Sequence, residues 1–136
     1  MGENVLAVFI SGCSPPCAPK TRSLSSNDSD LRNYILELGA TPPEILEDRD
    51  FSRVFIPVLR ADFEAIENFN WANPNLIHAP AYILNGRDDS RDMEHHLQWS
   101  KCAKLVEYHY FAGGHMYISD QQSAVAQLIM EKTEVV

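Results

Sequence analysis

Three short apolar runs, each closed by glycine or a polar turn, punctuate the chain. Val5-Leu6-Ala7-Val8-Phe9-Ile10 comes first, stopped by Ser11-Gly12 and then by Pro15, Pro16 and Pro19. Ala81-Tyr82-Ile83-Leu84 is the second, ended by Asn85-Gly86, and Leu105 to Phe111 is the third, ended by Gly113-Gly114. Runs as short and unalternating as the first two predict strands buried on both faces, the pattern of a parallel sheet under helices, and the third run reads as a further strand.

Helical spacing fills the intervals. Leu31, Tyr34, Ile35 and Leu38 predict a helix closed by Gly39. Thr41-Pro42-Pro43-Glu44 reads as a capping box with proline at the first helical position, placing Ile45 and Leu46 on a short helix. From Phe51 to Phe69 the apolar positions again predict helix, and Pro57 is expected to split it in two. Pro15 to Asp30 and Asn68 to Pro80 read as loops, the second holding Trp71, Pro74 and His78. A helix from about Ser90 to Lys101 is expected to present Met93, Leu97 and Ser100 on one face. Ser119-Asp120-Gln121-Gln122 is expected to cap a last helix with Val125, Leu128 and Ile129 facing inward. Strands alternating with helices predict an α/β chain with an open parallel sheet. The helices crowded between the first two strands read as an insertion.

Composition narrows the function classes. The 136 residues carry 11 Lys+Arg against 19 Asp+Glu, a net charge of −8, with 45% hydrophobic residues. That length suits one domain with its own core. The acidic excess argues against nucleic acid as a partner. No apolar run reaches the roughly 20 residues of a membrane helix, and Met1-Gly2-Glu3-Asn4 lacks a basic start, so no membrane partner and a cytoplasmic location are expected. Cys13, Cys17 and Cys102 signal neither a disulfide framework nor a zinc site, and Cys13 and Cys17 read as free thiols in a Pro-rich loop. Glu94-His95-His96 on a helix is no facial metal pair. Tyr108-His109-Tyr110 reads as strand packing, and Trp71 and Trp99 as core or interface aromatics.

Catalytic groups of open α/β sheets collect beyond the carboxyl ends of the strands. Asn85-Gly86-Arg87-Asp88-Asp89 follows the second strand, and Ala112-Gly113-Gly114-His115-Met116 follows the third. An acid and a histidine at successive strand ends can form a general base with an orienting carboxylate. Asp88-Asp89-Ser90 can equally serve only as a turn and helix cap.

Four stretches resemble the type II thioesterases, stand-alone α/β-hydrolases that serve polyketide, nonribosomal-peptide and fatty-acid synthases. They are Phe9-Ile10-Ser11-Gly12 with its Pro-rich loop, and Leu38-Gly39-Ala40-Thr41-Pro42-Pro43-Glu44-Ile45-Leu46, similar to the family's GGTP segment. Leu59-Arg60-Ala61-Asp62-Phe63 is similar to its lid signature, and Gly86-Arg87-Asp88-Asp89 with Gly113-Gly114-His115-Met116-Tyr117 to its Asp and His loops. The resemblance implies the C-terminal half of such an enzyme: a partial α/β-hydrolase fold in one domain, with three parallel strands, flanking helices and a helical lid insertion at about 28–69. It implies hydrolysis of acyl thioesters on the phosphopantetheine arm of carrier proteins, without metal or diffusible cofactor. His115 would be the general base and Asp89 its partner, with Asp88 one residue of slip away. Arg60 and Asp62 read as a lid ion pair or cap.

One departure is plain. No Gly-x-Ser-x-Gly nucleophile elbow occurs in the sequence. Ser14 is followed by Pro15, which has no N–H for an oxyanion hole. Cys13, Asp89 and His115 keep the family's chain order, but Cys13 falls where the family has a lid-entry loop. The nucleophile is therefore expected on a missing N-terminal half, which would also be a partner of strand 5–10; without it, that strand is expected to mediate self-association. The alternative is a non-catalytic remnant, or a module that binds a carrier protein or acyl chain.

Overall fold

A computed structural model describes residues 5–19, 23–25, 27–69, 76–89 and 93–134. Its three strands, β1 (Val8–Ser11), β2 (Ala81–Gly86) and β3 (Val106–Phe111), form a parallel sheet in the order β1-β2-β3. Between β1 and β2 come α1 (Asp28–Leu38), α2 (Pro43–Glu47) and α3 (Arg49–Asn68). Between β2 and β3 come α4 (Met93–His96) and a 3-10 helix (Leu97–Lys101). A 3-10 turn (Tyr117–Ser119) and α5 (Gln122–Thr133) follow β3. The chain divides into two compact units, residues 19–70 and the remainder.

In the sheet unit, β1 and β2 carry apolar residues on both faces because each face has its own cover, whereas β3 also bears Glu107 and His109. Ile83, with Ala81, packs with Trp99, Cys102 and Ala103 on one side, joined by Ile10 and Tyr108. Leu84 packs with Tyr117, Val125 and Leu128 on the other, joined by Phe9, Tyr82 and Phe111. The period-2 alternation of a strand sends neighbours to opposite layers. That explains why the first two runs read as continuously apolar.

Boundaries differ from the sequence pattern in instructive ways. β1 starts at Val8, whose N–H bonds Pro80 O at 2.9 Å, and Val5 and Leu6 are exposed. A strand extends only where a neighbour supplies partners, and β2 begins at Ala81. The helix expected from Ser90 to Lys101 is a four-residue α-turn passing into a 3-10 helix, and its inward residues are His96 and Trp99; Leu97 is exposed. Ser90 and the side chain of Met93 lie outside the described residues, as do Met1–Asn4, Trp71 and Pro74. Gln121, not Ser119 or Asp120, precedes α5, because Tyr117–Ser119 are taken up in the 3-10 turn. Val125 and Leu128 are buried there, whereas Ile129 is exposed.

The other unit packs Leu24, Leu31, Ile35, Leu46 and Ile56 around one core. Asn27 caps α1, accepting from Ser29 N–H, and Gly39 ends it. No capping box forms at Thr41: Pro42 occupies the cap position without a side-chain bond, and Pro43 takes the first helical position. Pro57 does not split α3, which runs unbroken for 20 residues. Pro57 and Arg53, whose carbonyl loses its ladder partner, are both exposed, so water can satisfy that oxygen. Ser52 and Ile56 before the proline, and Leu59 and Phe63 after it, face the same core. Shared burial outweighs one missing bond.

Glu67 clasps this unit at the end of α3. Its carboxylate accepts from Leu24 N–H (2.6 Å), Ser25 N–H (3.1 Å), Ser25 Oγ (2.6 Å) and Ser23 Oγ (3.1 Å). The Ser25 hydroxyl first, and then the two backbone N–H groups, hold its pKa below the ordinary carboxylate value. A depressed carboxylate stabilises the fold above its unfolded pKa and loses that contribution as pH falls through its folded pKa. Glu67→Gln is therefore expected to destabilise the fold at pH 7 by about 1–2 kcal/mol for charge-assisted bonds, read as a lower melting temperature. The gap between wild type and variant should close as melts are repeated toward pH 3.

Candidate active site

The loops that leave β2 and β3 are laced together through their backbones. Parallel register sets Gly86 opposite Phe111. Arg87 N–H then bonds Phe111 O at 2.8 Å, and Asp88 N–H bonds Gly113 O at 3.0 Å. A Cβ on Gly86 would run into the carbonyl oxygens of Gly113 and Gly114. Only glycine lets the two loops come this close.

The lacing brings two side chains together. Asp89 Oδ2 lies 2.9 Å from His115 Nδ1, with Asp89 only 5% exposed. A buried carboxylate is costly unless paired, and the imidazole supplies the pair. Asp88, its neighbour, is exposed and contributes its backbone to the lacing. With the carboxylate accepting from Nδ1–H, the lone pair of the ring falls on Nε2, the form of histidine that can take a proton from an attacking group.

Gly12 approaches the same ring from β1. It has φ +57°, and a Cβ there would stand 3.0 Å from His115 Cε1. One residue earlier, Ser11 Oγ is 2.7 Å from the Tyr117 hydroxyl, a phenol that burial pushes above its ordinary pKa. Tyr117 is 1% exposed and stacks on Phe111 at 5.3 Å. The strand-end loops of β1, β2 and β3 thus meet around His115. Gly12 and Tyr117 carried no sign of this beyond a strand stop and a place in the histidine loop, since their roles depend on distant partners.

The remaining candidates make other contacts. Cys13 donates from Sγ to Ser14 O (3.4 Å), and desolvation raises its thiol pKa, which works against a thiolate nucleophile. Arg60 pairs with Asp28 and donates to Ser25 O inside the 19–70 unit, so its partner is Asp28 rather than Asp62. Trp99 is a buried core residue whose indole N–H bonds Cys13 O at 2.9 Å. Tyr108 and His109 are strand residues, His109 Nε2 standing 2.9 Å from Glu107. Among the described residues, no group of three His, Cys, Asp or Glu is placed to hold a metal ion, and no helix is long and apolar enough to cross a membrane. An open cavity of about 770 Å³ is lined by residues such as Arg32, Leu46, Ser52 and Ile56, all from the 19–70 unit, and none from the Asp89 or His115 loops.

Comparison with known proteins decides the family. The profile of the Thioesterase domain matches residues 1–133. The chain belongs to the thioesterase domain family. It is 29% identical over 132 residues to phenyloxazoline synthase MbtB of Mycobacterium tuberculosis, covering 94% of this chain and 9% of that protein. It is 28% identical over 137 residues to the probable anguibactin biosynthesis thioesterase AngT of Vibrio anguillarum, covering 94% of this chain and 54% of that one. Among solved structures, YbtT, a type II thioesterase from the yersiniabactin NRPS/PKS biosynthetic pathway, superposes with a TM-score of 0.80 at 27% identity, over 93% of this chain and 53% of that one. The fold is a partial α/β-hydrolase fold, and the chain spans about half the length of AngT and YbtT and a small part of MbtB.

Two substitutions probe the geometry without any reaction. Gly12→Ala is expected to cost about 1–3 kcal/mol through its left-handed backbone and to displace the His115 ring, moving its NMR resonances. Asp89→Asn should let the amide NH2 face Nδ1 and switch the imidazole to the Nε2–H tautomer, read in long-range proton–nitrogen spectra. Ring signals unchanged in both variants would contradict the arrangement.

Proposed function

We propose that this chain carries the acid–base half of a hydrolase acting on acyl thioesters of carrier-protein phosphopantetheine arms, in the editing or release steps of polyketide, nonribosomal-peptide or fatty-acid biosynthesis. The observation that supports it most is the 2.9 Å contact between buried Asp89 and His115 Nδ1 at adjacent strand ends. His115 Nε2 takes the proton of a serine hydroxyl as that oxygen attacks the thioester carbonyl. The imidazolium, steadied by Asp89, then returns the proton to the departing thiol. Water repeats the cycle on the acyl-enzyme.

The serine belongs to a segment outside these 136 residues, where the Gly-x-Ser-x-Gly elbow and oxyanion donors of such enzymes would lie. β1 is one edge of the sheet among the described residues, and the further strands of a complete hydrolase add there. The helices at about 28–69 act as the lid of the acyl site. Val54, Val58 and Ile66 on α3 are exposed apolar side chains.

The test is complementation. The purified chain alone is expected to leave an acyl-carrier thioester intact, and adding the remaining N-terminal part of a relative such as AngT is expected to bring turnover. His115→Ala or Asp89→Asn should then lower kcat by about 10³–10⁴-fold. Turnover that survives His115→Ala would overturn the assignment. Turnover by the chain alone, lost in Cys13→Ala, would move the nucleophile to Cys13. Binding of the carrier without turnover, even when complemented, would favour a binding module.

A further inference from the structure

Cys17 takes no part in the Asp89–His115 geometry, yet its Sγ stands 3.1 Å from the Sγ of Cys102. Closing to a disulfide of about 2.05 Å requires the sulfurs to move together by only about 1 Å. The pair is assembled by tertiary contacts. The indole N–H of Trp99 bonds Cys13 O at 2.9 Å, and Cys17 Sγ reaches Gln98 O at 3.7 Å, so the loop leaving β1 lies along the 3-10 helix Leu97–Lys101. Cys102 is fully buried and its backbone is held on both sides, its N–H by Trp99 O and its carbonyl by Ile77 N–H.

The two sulfurs differ in access. Cys17 is exposed, whereas burial, followed by the hydrogen bond to Cys17, pushes the Cys102 thiol up to about 11. Cys13 is a poor competitor despite its nearness in sequence. Pro15 and Pro16 stand between Cys13 and Cys17 with fixed φ, and Ala18 N–H closes a turn onto Pro15 O at 2.9 Å. Cys13 Sγ bonds Ser14 O instead.

We propose that Cys17 and Cys102 form a redox-modification site, closing to a reversible intramolecular disulfide when the chain meets a low-molecular-weight disulfide such as oxidised glutathione. Cys17, as thiolate, attacks one sulfur of the reagent, forming a mixed disulfide and expelling one thiolate, which picks up a proton. Cys102 then gives up its proton and attacks the Cys17 sulfur, expelling the second thiolate, which is protonated in turn. Two protein thiols are oxidised, and one reagent disulfide is reduced to two thiols. The bond covalently pins the loop that begins at Gly12, the residue against the His115 ring.

The full chain is incubated with excess oxidised glutathione, the protein is denatured, free thiols are blocked with iodoacetamide, and intact mass and linked peptides are read with and without dithiothreitol. The reduced chain is expected to take three labels and the oxidised chain one, with a single linked peptide joining Cys17 to Cys102 that dithiothreitol releases. Cys13→Ser should still form that link. Cys17→Ser, at an exposed position, should abolish it and leave Cys102 alkylated once the protein is denatured. Three labelled thiols after oxidation, glutathione retained on Cys17 beside an unreacted Cys102, or a Cys13–Cys17 link would each overturn the proposal.

Discussion

The close approach of two backbones at Gly86 is the constraint on which the site depends. β2 and β3 run parallel, so their carboxyl ends finish side by side, and any side chain on Gly86 would meet the carbonyls of Gly113 and Gly114. With glycine there, Arg87 and Asp88 donate into the next loop. The loops carrying Asp89 and His115 are then joined by backbone bonds, and the two side chains meet at 2.9 Å. Geometry imposed by the main chain makes the pair preorganised, and a carboxylate 5% exposed gains its partner without a search.

The same logic extends to the third strand end. Gly12, with φ +57°, lets β1 terminate against the imidazole, while Ser11 is tied to the Tyr117 hydroxyl. Tyr117 in turn belongs to the core under α5, with Leu84, Val125 and Leu128. The packing that stabilises one face of the sheet and the placement of His115 therefore share residues. A loss of core volume around Tyr117 reaches the histidine loop through one turn of chain.

The 19–70 unit follows different rules. It has its own core around Leu31, Ile35, Leu46 and Ile56, and its own polar fastening in Glu67. Its longest helix tolerates Pro57 because the defect faces water while both flanks of the proline are anchored in one cluster. Membership of the thioesterase domain family, with about half the length of AngT and YbtT, fits a sheet in which β1 is an edge among the described residues.

The amino-acid sequence by itself determined the α/β class, the three strands and the pairing of an acid at Asp88 or Asp89 with His115, because these rest on local signals. Apolar runs report burial on both faces, and Gly86, Gly113 and Gly114 report sharp strand exits. Asp88 and Asp89 could not be separated by pattern, since neighbours in a turn differ only in direction; the fold buried one and exposed the other. The continuity of α3 through Pro57, the start of β1 at Val8 and the 3-10 geometry before β3 were likewise decided by partners remote in the chain. Gly12 beside His115 and Cys17 beside Cys102 belong to the same class. Local propensity is a matter of a few tenths to about 3 kcal/mol per residue. Shared burial and register act over whole elements, so only tertiary structure could choose among the local possibilities.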